Sequence, residues 1–237
     1  MQIALGWIME TSLEPQLSHQ PIYLAPATPS ELLDRVLSHH TYPTTLLVCW
    51  PKKLFLDGLI QEVRQQISSA SSSSGQDGHG HRHPLLQTPL LQAAVSRHLH
   101  LAFIPTVAHL RAYLAVFLTR NMTTPPPPAD FRPSPPRQVP LLLAYGFVEL
   151  HRDGSEWSAQ GLNMSAAGLV ESAARNGLRA AVVEPRKTDG RDEIWTTLDE
   201  SVPLLSGSTS IRFDKVPVRA VFSRWFEFES PRGVPSE

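Results

Sequence analysis

Glu149 and His151 flank the end of the most apolar segment of the chain, Val139 to Leu150, and are its best-placed acid–base pair. A carboxylate and an imidazole together can move protons, and ligands of parallel α/β sheets collect at strand ends. A polar pair is also what any buried strand shows where it meets water. His79, His81 and His83 alternate beside Asp77. That spacing suits loose transition-metal coordination, but the intervening glycines leave the ligands unorganised and ordering them costs entropy. The expectation is no metal site. Ser206-Gly207-Ser208 reads as a turn, and no Gly-x-Ser-x-Gly elbow accompanies it. Cys49 is the only cysteine, which excludes an intramolecular disulfide and a multi-cysteine zinc site. It sits in the apolar run Leu46-Leu47-Val48-Cys49-Trp50, where a buried, inert thiol is expected. No glycine-lysine phosphate loop is present anywhere in the sequence.

For a polyanion, the candidates are Arg186, Lys187 and Arg191, in the segment 185–193, and Lys52 and Lys53 after a predicted strand. Three acidic residues share the first segment, so its local charge is near zero, and a solvated loop is the competing reading. Basic and aromatic residues are not interleaved as in single-strand platforms. The formal net charge of −1 supplies no global attraction to nucleic acid or anionic lipid. The segment Val221 to Phe228 reads as a strand with apolar residues on both faces. Phe222, Trp225, Phe226 and Phe228 are therefore candidates for a partner interface, with core packing as the alternative.

The elements that must position these groups follow from periodicity. With 237 residues, 41% of them hydrophobic, the chain can build one sizeable domain. Ile22 to Ala25 is a short apolar run, and the helix from Glu31 to His39 follows, with Ser30 or Thr28 as its cap. Thr44 to Trp50 reads as a strand buried on both faces. The helix Leu54 to Ile67 places Leu56, Leu59, Ile60, Val63 and Ile67 on one face, expected to be the core face. A helix over Leu85 to Arg97, a strand over Leu99 to Pro105 and a helix over Val107 to Thr119 come next. Beyond the strand Val139 to Leu150 lie a helix over Ser158 to Arg175, stopped by Asn176-Gly177, and the strand Leu178 to Val183. Ser208 to Phe213 and Val218 to Phe228 are expected to form an antiparallel hairpin around Asp214-Lys215-Val216-Pro217. Two inserts interrupt this single domain. Residues 68–84 are Ser/Gly-rich and read as a flexible loop; residues 123–140 are proline-rich and read as an extended spacer. Repeated β–α alternation with a closing hairpin predicts a mostly parallel sheet with helices on both faces. No segment has the ~20 apolar residues of a membrane span, and Met1 to Met9 lack the basic start of a secretory leader. The expected compartment is cytosol or nucleus.

This order of elements resembles the core of RecA-type recombinases, and especially the degenerate recombinase paralogues of eukaryotes. The local likeness lies in Val139 to Pro185: an apolar strand, a polar loop (His151 to Trp157), a helix opening Ser158-Ala159-Gln160 like the family's "SARQ" start, and the strand Ala180 to Val183. In the family the turn after the first strand holds phosphate on glycine amides and a lysine. Here the matching segment, Ala25-Pro26-Ala27-Thr28-Pro29-Ser30, has neither, and its two prolines each remove a donor. The magnesium-binding aspartate is absent after Leu141-Leu142-Leu143-Ala144-Tyr145-Gly146, and Trp50-Pro51-Lys52-Lys53 stands where the family often has an acidic residue. The resemblance therefore implies a RecA-like domain without ATP hydrolysis or cofactor. It implies assembly with another RecA-like paralogue, as in Shu-complex subunits, in homologous recombination repair in the nucleus. DNA would be reached through the complex, with the second DNA loop of the family falling on Arg186, Lys187 and Arg191. Within the same fold, a non-catalytic subunit of the Elongator tRNA-modification complex, which would be cytoplasmic, is the alternative. From another class, the alternative is an enzyme using Glu149 and His151.

Overall fold

The computed structural model describes residues 18–38, 41–73, 90–128, 139–152, 154–186, 196–205 and 214–229. Its centre is a six-stranded sheet in the order β3-β2-β4-β5-β1-β8, every neighbouring pair parallel. The strands are β1 (Ile22–Tyr23), β2 (Thr44–Val48), β3 (Leu99–Phe103), β4 (Leu141–Tyr145), β5 (Arg179–Val183) and β8 (Glu227–Phe228). The helices between them are α1 (Pro29–Ser38), α2 (Lys52–Ser73), α3 (Leu90–Ser96), α4 (Val107–Val116) and α5 (Ala159–Arg175). An α/β fold with helices on both faces is thus what the alternating pattern builds.

Both faces of the central strands β2, β4 and β5 are buried, and these strands show it residue by residue. Leu46 and Val48 of β2 face a layer with Leu32 and Val36 of α1 and Phe55 of α2. Leu47 and Cys49 face the opposite layer, with Leu110 and Leu114 of α4 and Leu162 and Leu169 of α5. Alternate side chains of one strand point to opposite faces, so a strand covered twice must be apolar throughout. Helix starts are sealed locally. Ser158 accepts from the Gly161 amide at the head of α5, and Thr106 accepts from the His109 amide at the head of α4.

Several boundaries differ from the sequence reading. The helix α2 continues to Ser73, six residues into the expected serine-rich loop. Ser68 and Ser69 donate their hydroxyls to the carbonyls of Gln65 and Gln66, a back-bond that lets serine continue a helix. Of the expected core face of α2, Leu56 and Ile60 are exposed, and Phe55 is the buried anchor. The strand β4 ends at Tyr145. Gly146 then takes a positive φ of 75°, and Glu149–His151 form a 3-10 turn rather than strand. Of the proline-rich insert, 123–128 runs without helix or strand, held where Tyr42 donates to the Thr124 carbonyl and His98 bonds the Pro125 carbonyl. Residues 129–138 lie outside the described residues.

The last third holds an antiparallel pair, but in other places than expected. It joins β6 (Ser201–Pro203) to β7 (Lys215–Pro217), so the expected turn is itself a strand. α6 (Thr196–Asp199) precedes β6. Ser206 to Phe213 lie outside the described residues. Val218–Phe222 is a helix, α7, and only Glu227–Phe228 is strand, paired with β1. The spacing Val218, Val221, Phe222 was a helical signal that the reading by alternation overrode.

Phe222 and Phe226 consequently belong to the core. Phe222 is fully buried, edge-on to Tyr23 and Phe147 and stacked on Phe226. Trp225 is half-buried and donates Nε1–H to Asn163, while half-buried Phe228 packs on Tyr23 and under the Arg219 guanidinium. The C-terminal aromatics thus close their own core. Phe222→Ala should cost about 3–5 kcal/mol of unfolding free energy, measured by urea denaturation; a loss below ~1 kcal/mol would mean Phe222 is not the core residue described.

Candidate functional site

The site follows from the carboxyl ends of the strands, where a parallel sheet opens its crevices. At the end of β1 the chain turns into α1, whose first amides lack helical partners and present partial positive charge. In this protein its own carboxylates occupy them. The Thr28 amide donates to Glu31 Oε2 at 3.0 Å, and the Glu31 amide donates to Thr28 Oγ1 at 3.5 Å, a reciprocal capping box with Pro29 at the first helical position. The Ser30 amide donates to Glu62 Oε2 of α2 at 3.0 Å. Arg186 clamps the turn from outside, with Nη1 on Glu31 Oε1 at 2.8 Å and Nη2 on the Pro26 carbonyl at 3.2 Å. Beneath it, the Ala27 amide donates to the Glu184 carbonyl, and the Tyr145 hydroxyl donates to the Ala27 carbonyl. A phosphate at this helix start would have to displace two carboxylates.

Glu184, at the end of β5, was not singled out in the sequence. It is fully buried, and its Oε1 accepts from the Val148 amide at 2.8 Å. Burial pushes its carboxyl up to about 8, against the pull of the Val148 and Glu149 amides. The Cys49 thiol is pushed far up by burial first and by Glu184 second, so it stays protonated and unreactive. Only its position after an apolar strand distinguished Glu184, a signal too common to select it.

Glu149 and His151 are turned apart. Glu149 accepts from Arg152 Nε at 2.6 Å, and Arg152 also pairs with Glu200 at 2.6 Å while lying over the Trp157 ring. His151 is fully buried. Its Nδ1–H donates to the Phe147 carbonyl at 2.8 Å, and Nε2 accepts from the Ser165 hydroxyl at 2.9 Å. Ser165 in turn accepts from Arg111 Nε, and Arg111 pairs with Glu156. Burial first holds the imidazole down to about 4, and the neighbouring Arg111 acts in the same direction. His151 is therefore a neutral, saturated core group, and the expected acid–base pair does not form. Neither Arg111 nor Ser165 stood out in the sequence.

Between the ends of β2, β3 and β4 lies a crevice of about 460 Å³. Trp50, Pro51, Leu54 and Pro105 give it apolar walls, and Glu149 and Glu156 reach it. Both carboxylates are already paired with arginines, and the one thiol is held protonated. Among its described lining residues no activated nucleophile or free base is present.

The remaining candidates are dispersed. Lys53 pairs with Asp57 at 2.8 Å, and the Lys52 ammonium lies 5.7 Å from the Phe103 ring centre, both at the start of α2. Arg186 is committed to Glu31 at the far side of the sheet end. Lys187 and Arg191 lie outside the described residues, as do Asp77, His79, His81 and His83. Among the described residues no three His, Cys, Asp or Glu side chains cluster to hold a metal ion, and no helix is long and apolar enough to cross a membrane. No family model matches the chain, and no curated protein is similar enough to count as a relative.

The two shifted groups give opposite pH dependences. Between pH 4.5 and 8 the folded chain keeps a proton on Glu184 that the unfolded chain releases, so stability falls as pH rises. Between pH 4 and 6.5 the unfolded chain binds a proton that folded His151 refuses, so stability falls as pH drops. Wild type should lose stability from about pH 6.5 to 8 in urea titrations. Glu184→Gln, which keeps an acceptor for Val148, should be flat there; parallel profiles for the two proteins would contradict the buried acid.

Proposed function

We propose that this chain is a non-catalytic, RecA-like assembly subunit acting in homologous recombination repair, paired with another RecA-like paralogue. The observation that carries the reading is the start of α1, where Glu31 and Glu62 occupy the amides that a nucleotide-hydrolysing relative would turn on phosphate. The scaffold order matches the resemblance drawn from Val139 to Pro185, and the chemistry at its strand ends is consumed internally. A protein of this kind works by what it binds. Its place is the nucleus, and DNA is approached through the complex; of the candidate basic residues that the structure describes, exposed Lys52 and Lys53 stand apart from the α1 clamp that holds Arg186. The test is purification of the tagged full-length chain from its native cells with identification of the proteins held stoichiometrically. A recombinase or a RecA-like paralogue is the expected companion. Recovery of Elongator subunits in their place would assign the chain to tRNA modification and overturn the recombination reading.

A further inference from the structure

We draw no further inference here: the strongest candidate, the groove between α4 and α5 lined by Ser172, whose hydroxyl has no hydrogen-bond partner among the described residues, carries none because that hydroxyl is closed off from solvent, Arg111 and Arg175 along the groove already bond within the chain, and nothing in the structure shows what would fill it.

Discussion

Parallel strands can be joined only by crossing a face of the sheet, and here helices cross both faces. Leu46 and Val48 face one layer and Leu47 and Cys49 the other, and β4 and β5 are divided in the same way. Because the faces are filled, the sheet can meet a ligand or partner only at its strand ends and its edges. That constraint explains why the informative features of this protein lie at the turn into α1 and at the buried Glu184.

At the strand ends, unpaired backbone donors and buried charge have been neutralised from within. The α1 amides receive Glu31 and Glu62, Arg186 balances Glu31, and the 3-10 turn after β4 starts on Glu184. His151, Ser165, Arg111 and Glu156 form a chain of satisfied hydrogen bonds beneath α5. An unpaired buried polar group costs about 1–3 kcal/mol, so such closure is stabilising. It also commits both ring nitrogens of His151, and Oε2 of Glu149, to partners within the chain.

The sheet was legible because a run apolar in every register, such as Thr44 to Val48, has few other places to go. Helix starts were legible too, with Thr28 the cap that forms. Aromatic density near the C-terminus was misleading: Phe222 and Phe226 are helix-spaced core residues, and reading them by alternation put them on a strand. The pairings that define the candidate site were invisible for another reason. Glu31 with Arg186, Glu62 with Ser30, and Arg111 with Ser165 join residues distant in sequence, and no local spacing encodes them. Leu56 and Ile60 of α2 were recognised as apolar, but only the neighbouring α1 decides which side of that helix faces the core.

Calorimetric titration of the full-length chain with Mg-ADP and with pyrophosphate tests the central claim most directly, because both ligands need the amides at the start of α1. The account predicts no binding heat at any ligand concentration below the millimolar range. Saturable binding of either ligand below that range, lost in Ser30→Pro, which removes that backbone N–H, would place a phosphate on those amides and contradict it.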